Sequence, residues 1–426
     1  MSDTVVASQG PGSAGDGDPT TTEQFEAEAR AFLDAHAYKR PTETFVWGQG
    51  SDSVGLFPER TPEEEAADVE AARAWAQTVF DAGFGWITGP AEYGGRGLGR
   101  EYQRIYAAVA ADYRTPSMAV YGIGLGMVAP TILAHATDEV KDAYLRKMYR
   151  GDIVGCQLFS EPSSGSDLAS LQTRAVHDGD EWIINGQKVW TSGAQVSDIG
   201  EIICRTDPEL EKHRGLTGFV VDMHAPGVEV RPLRQMTGGS TFNEVFFTDV
   251  RVPDSHRLGD VNGGWTVALT TLMNERAAIG GGGGGVGVPP TTRLIEMARA
   301  VGRAGDPLVR QQIATIYVNE HVARYNNLRA MAKIAVGQLP GPEMSLAKLS
   351  LTANMVRTYE LVSTLLGPSL VADTGAWGTY AWSEFLLGVP GMRIAGGTDE
   401  ILRNIIGERV LGLPKDPAPK DPAKTS

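Results

Sequence analysis

The spacing of hydrophobic residues changes twice along the chain, from helical to alternating and back, and this sets the order of its architectures. In TEQFEAEARAFLDAHA, Phe25, Ala29, Phe32 and Leu33 recur at helical spacing behind an acidic first turn. Residues 62–82 open on Pro62 and three glutamates, then place Val69, Ala72, Trp75 and Val79 on one face. Further helices are expected near 101–113 and 118–135, with PAEYGGRG (90–97) as a loop. After about residue 151 short alternating runs take over. EWIINGQKVW holds Asn185-Gly186 between two such runs and predicts a hairpin there. EIICRT (201–206), GFVVDM (218–223), VEVRPL (228–233) and NEVFFTDV (243–250) are further strands, and their spacing suggests a sandwich or barrel. From Gly264 helical spacing returns. Asp306-Pro307 opens one long helix ending near Gly337, Pro342-Glu343 opens another, and Gly367-Pro368 stops the second. We therefore expect tails at 1–21 and 414–426, a helical domain over 22–150, a β-domain over 151–263 and a helical bundle over 264–413.

A chain of 426 residues is too long for one ordinary core. Its formal net charge of −14, without a basic block, argues against nucleic-acid binding. Cys156 and Cys204 form no CxxC pair, and the seven histidines show no ligand spacing, so neither a disulfide framework nor a metal site is expected. The opening residues lack the charged and apolar regions of a secretory signal, and no run approaches 18 apolar residues. A soluble, cytoplasmic protein is the expectation.

Two segments can carry chemistry. QLFSEPSSGSD (157–167) stands where helices give way to strands, and its small residues allow close backbone approach to a ligand. NGQKVWTSG (185–193) sets the Trp190 indole beside the hydroxyls of Thr191 and Ser192, as an aromatic ring with a polar edge requires. Taken singly, each also fits a surface turn or a core tryptophan. In combination, SEPSSGSD followed by NGQKVWTSG resembles the acyl-CoA dehydrogenase family. PAEYGG before them, and GLTGFVVD, FFTDVRVP and GGTDEILRNIIGERVLGLP after them, occur in family order, so the resemblance spans about residues 22–414.

That resemblance implies an α+β multidomain fold with an N-terminal α-helical domain, a middle β-barrel and a C-terminal four-helix bundle. It implies FAD as cofactor, an acyl-CoA substrate and dehydrogenation between the α and β carbons. Gln157, Leu158, Phe159, Ser160, Ser166, Trp190, Thr191, Ser192, Thr398 and Glu400 are the matching cofactor-binding positions. Ser166 and Arg276 match positions near the substrate. The family's usual loop glutamate is replaced by Gly396 in Ala395-Gly396-Gly397-Thr398. A branch resembling isovaleryl-CoA dehydrogenase carries its base on the first helix of the bundle, and there LTTLMNERAAIGG has Glu275. Glu275 is therefore the expected α-proton base, with flavin N5 taking the β hydride. Gly396 is the expected backbone donor to the thioester carbonyl. Asp399 and Glu400 are rival acids, read instead as the first turn of a helix.

The resemblance further implies an electron-transfer flavoprotein as acceptor and a homotetramer, with a role in lipid metabolism such as fatty acid β-oxidation. An RxxFG motif is missing from ARAVGRAGDPLVRQQ (298–312), which leaves pairing with a related subunit open. An oxidase and a non-catalytic subunit are the alternatives. Gly280 to Gly285 are read as a flexible loop or as a widened acyl pocket.

Overall fold

The computed structural model describes residues 20–41, 45–57, 59–280, 288–335 and 341–415. The expected tails fall almost wholly outside them, as do Gly281 to Gly285 and the expected helix end near Gly337.

The N-terminal part contains α1 (Thr22–His36), a strand β1 (Tyr38–Lys39), α2 (Pro62–Asp81), α3 (Arg100–Ala110), a strand β2 (Tyr113–Arg114), α4 (Ala129–His135) and α5 (Asp138–Arg150). Both α1 and α2 begin with capping boxes, Thr21 with Gln24 and Thr61 with Glu64, each satisfying two backbone donors. The helix expected over 118–135 is divided into a short 3-10 turn, a π-helical turn at Gly124–Val128, and α4. Pro130 accounts for part of this division: it has no N–H to give the preceding turn.

The middle part is one eight-stranded sheet: β3 (Gly155–Leu158), β4 (Arg174–Asp178), β5 (Glu181–Ser192), β6 (Ile199–Arg205), β7 (Leu216–Asp222), β8 (Val228–Leu233), β9 (Phe242–Pro253) and β10 (Arg257–Leu258). Its order runs β10-β7-β6-β4-β5-β9-β8, with β3 beside β6. The ends of this path do not pair, so the sheet is open and the expected closed barrel is corrected. The hairpin expected at Asn185-Gly186 is also corrected. β5 runs straight through it, and the turn lies one step earlier, at Gly179, between β4 and β5. Gly186, at φ 154°, marks a register shift against β9 instead.

β6 divides two cores. Ile202 and Cys204 join Leu158, Phe219 and Phe247 inside the sheet domain. Ile199 and Ile203 face the opposite way, into a core shared with Ile132, Leu145, Phe159 and Val267. The sheet thus has helices of the N-terminal part and the start of the C-terminal part against one face.

The C-terminal part contains α6 (Gly264–Gly280), α7 (Thr291–Ala300), α8 (Pro307–Ala335), α9 (Ser345–Leu366), α10 (Trp382–Ile394) and α11 (Asp399–Ile405). α9 packs against α6, α8, α10 and α11 over Met355, Leu361, Val362, Trp382 and Phe385. Asp306 caps α8 by accepting from the Leu308 N–H at 2.9 Å, and α9 ends at Gly367 as its sequence predicts. Pro342 begins a 3-10 turn ahead of α9 rather than α9 itself. The first turn of α6 lies directly on β7: a Cβ on Gly264 would come within 2.7 Å of Thr217 backbone atoms.

Candidate active site

Trp190 is, with Asp249 of β9, one of two left-handed non-glycine residues in the described strands. It lies in the bulge between Lys188 and Thr191, with φ at +60°, a left-handed conformation that costs a non-glycine residue about 1 kcal/mol or more. The bulge turns its indole out of the sheet, leaving it 59% exposed. A large ring held outward at this cost is suited to packing on a flat partner. Next to it Thr191 is buried, and its Oγ1 has no hydrogen-bond partner among the described residues. Ser192 is half-buried.

The segment 157–166 is held against this bulge. The Val189 N–H donates to Ser160 O at 2.8 Å, so the two segments read separately in the sequence form one wall. The motif residues Glu161 and Lys188 explain why they do. The Lys188 ammonium is wholly buried and donates to Phe159 O, Ile203 O and Glu161 Oε1 at 3.1, 2.9 and 2.9 Å. Glu161 also accepts from the N–H groups of Gln172 and Thr173. Burial opposes the Glu161 charge, but Lys188 and these donors outweigh it and hold the carboxyl below its ordinary value. Ser164 is pinned to the same turn through Asp167 O, while Ser163, Gly165 and Ser166 are exposed. Gln157 is half-buried and Phe159 buried on the helix-facing side. The Leu158 side chain lies instead inside the sheet core, which leaves only its backbone to face a ligand.

Thr398 caps α11, its Oγ1 accepting from the Ile401 N–H at 3.1 Å. Glu400 is exposed beside Arg403, at 3.5 Å. Among the described residues no hydrogen bond or ion pair joins either to the wall formed by 157–166 and 190–192. Asp399 is buried and engaged by Lys348, Thr352 and Arg393 at 3.3, 2.9 and 2.8 Å. Burial raises its carboxyl, but these partners outweigh that and hold it below the ordinary range. This agrees with reading the pair as a helix start.

Glu275 is half-buried on α6, and the side chain of Arg276 lies outside the described residues. Thr271, one turn before Glu275 and on the same face, is fully buried. Its Oγ1 is 2.5 Å from Glu201 Oε1 of β6 and 2.9 Å from Thr131 Oγ1 of α4. Glu201 pairs in register with Gln157 of β3, so the two share a face of the sheet. The Glu275 face of α6 is therefore turned toward the sheet face that bears Gln157. Glu201 was missed as a chemical residue. Its signal was a carboxylate set between Ile199 and Ile203 at strand period, where an apolar side chain is expected.

Models of the acyl-CoA dehydrogenase N-terminal, middle and C-terminal domains match residues 52–152, 156–250 and 262–411. The chain belongs to the acyl-CoA dehydrogenase family. It is 37% identical over 357 residues to acyl-CoA dehydrogenase IpdE1 of Mycobacterium tuberculosis, covering 83% of this chain and 91% of that protein. Among solved structures it resembles the Tcur3481-Tcur3483 steroid ACAD, with a TM-score of 0.71, 27% identity and coverage of 94% and 99%. It also resembles the ChsE4-ChsE5 complex from Mycobacterium tuberculosis, with a TM-score of 0.67, 27% identity and coverage of 95% and 100%. Acyl-CoA dehydrogenases are oxidoreductases, and this chain has their three-part organisation. Among its described residues no three potential ligand side chains cluster as a metal site, and no helix is long and apolar enough to cross a membrane. Cys156 and Cys204 are buried, free thiols, both pushed up to about 12 by burial.

Proposed function

We propose that this acyl-CoA dehydrogenase removes the α proton of an acyl-CoA with Glu275 and steadies the thioester carbonyl with the Gly396 N–H. The carrying observation is the disposition of the acids. Gly396 has no carboxylate, Asp399 is consumed by three partners, and Glu400 is exposed on α11. Glu275 is the half-buried acid on the α6 face turned toward Gln157.

The wall of residues 157–166 and 190–192 fits FAD: an outward indole, a buried unpaired hydroxyl at Thr191 and exposed small residues at Ser163, Gly165 and Ser166. Bound FAD supplies the two-electron oxidation. Trp190 would pack on its ring, Thr191 and Ser192 would bond its polar edge, and Ser166 would lie near the substrate. Glu275 takes the α proton as general base. The Gly396 N–H meets the negative charge growing on the thioester oxygen.

A second subunit is part of this reading. Tyr317, Val318, Val322, Tyr325 and Leu328 form an exposed apolar stripe on α8, Tyr325 at 66% exposure. Such a stripe is suited to burial against another chain, either a copy or a related subunit as in the complexes this fold resembles. An electron-transfer flavoprotein is the proposed acceptor.

Purified protein should be yellow and should bleach on anaerobic addition of an accepted acyl-CoA. Glu275→Gln should retain colour and ligand binding and lose bleaching by about a thousandfold or more. Full-rate bleaching by that variant rejects Glu275 as the base. Rapid peroxide release in air would point to an oxidase instead.

A further inference from the structure

The segment between α10 and α11 is conformationally expensive. Gly396 and Gly397 have φ of +64° and +88°, two left-handed residues in succession. Glycines adopt these angles freely, but with equal freedom they leave them. Something must hold the loop if its N–H groups are to point in one direction.

Lys348 of α9 is placed to do so. Its side chain is 4% exposed, and its ammonium donates to Arg393 O at 3.1 Å, Gly397 O at 2.9 Å and Asp399 Oδ1 at 3.3 Å. An ammonium has three protons, and all three are used. The first two acceptors lie on either side of Gly396 in the chain. The third, Asp399, is fixed by Thr352 from the same face of α9 and by Arg393 from the end of α10. Loop, both flanking helices and α9 are thus tied at one buried point.

We infer that Lys348 is a positioning residue for the reaction: by gripping the carbonyls that flank Gly396, its ammonium sets the direction in which the Gly396 N–H is presented. This rests on Gly396 being the carbonyl donor proposed above. Lys348 touches neither substrate nor cofactor in this role. A guanidinium could keep the charge opposite Asp399, but its planar donors do not match three acceptors arranged around one tetrahedral nitrogen.

The test uses the full-length, FAD-loaded enzyme with Lys348→Arg and Lys348→Met. Lys348→Arg keeps the buried charge balance, so its fold and FAD content should match the parent. Its kcat should fall roughly tenfold to a hundredfold while KM changes by less than about threefold, the pattern of a contact made mainly in the transition state. The second readout is binding of an acyl-CoA with sulfur in place of the β methylene, which is not oxidised and whose α proton is more acidic. Its long-wavelength charge-transfer absorbance reports the stabilised enolate and should weaken in both variants. Parent-like kcat and absorbance in Lys348→Arg overturn the inference. So does loss of activity strictly in proportion to lost FAD or lost fold in both variants, which marks Lys348 as structural only. Glu275→Gln measured alongside separates the two readings, because its turnover reports the base whatever Lys348 does.

Discussion

Glu201 of β6 and Thr271 of α6 share a hydrogen bond of 2.5 Å in a fully buried contact one helical turn from Glu275. Thr131 and Thr271 each bring one hydroxyl proton. Their oxygens also lie within hydrogen-bonding distance of Met127 O at 2.9 Å and Val267 O at 3.2 Å, which only accept. Thr271 donates to Glu201 Oε1 and Thr131 can donate to Thr271, so both hydroxyl protons are placed along one buried chain that ends at the carboxyl. Burial pushes the Glu201 carboxyl up to about 8, and Oε2 has no partner among the described residues.

A raised carboxyl makes stability fall as pH rises. The unfolded chain releases the Glu201 proton near the ordinary value of 4.5, whereas the folded protein keeps it to about 8. The contribution is fully present below pH 4.5 and is lost as pH rises to 8, on the order of 4 kcal/mol across that window. Glu201→Gln retains the shape without the titration. Thermal unfolding at pH 5, 6.5 and 8 should show a steeper decline in the parent than in the variant. Parallel declines mean that Glu201 is charged in the fold.

Breaking the buried Glu161–Lys188 pair should be costly. Lys188→Met leaves a carboxylate buried against two N–H groups without its cation, an expected loss of about 3–5 kcal/mol in urea unfolding. Adding Glu161→Gln should recover part of that loss. The same variant should hold FAD poorly, because Phe159 O and the turn from Ser160 lose their anchor.

Thr191→Val should separate cofactor binding from folding. The hydroxyl is buried without a partner, so the isosteric methyl should leave the unfolding temperature of the FAD-free protein unchanged or slightly raised. FAD affinity, followed by flavin fluorescence on dilution, should fall about tenfold, one hydrogen bond to the cofactor. Unaltered affinity would remove Thr191 from the cofactor wall.

Charge on the α8 stripe should separate subunits. Val322→Asp together with Tyr325→Asp places carboxylates on residues that are exposed in the single chain, so the fold should survive. Sedimentation should show a smaller species than the parent. An unchanged assembly would move the interface elsewhere.

Much of this molecule is written in local pattern. The period of Val228–Leu233 gives its strand without adjustment, and Gly367 stops α9 because a helix tolerates such a residue at its end. Asn185-Gly186 failed as a turn for a tertiary reason. Asn185 exchanges hydrogen bonds with Asp249 across β9, which keeps the strand extended and absorbs Gly186 as an irregularity. The candidate site was legible only as local pattern, as at Trp190 and Thr191, which the structure sets side by side at one bulge of β5. It was illegible where partners are distant: Glu161 with Lys188, Lys348 with Asp399 and Glu201 with Thr271 are 27, 51 and 70 positions apart. No local rule joins such pairs; only the sheet and the bundle do.

The seat of Gly264 on Thr217 gives α6 the character of a lever with its fulcrum in the sheet. Glu275 stands eleven residues along, about 16 Å at helical rise. A tilt of about 4° at that root, which a single added methyl could impose, swings the far end by about 1 Å, a displacement that can cost about a hundredfold in rate. With Glu275 as the proposed base, the accuracy of proton removal would be set partly at a residue that has no side chain and stands about three helical turns away.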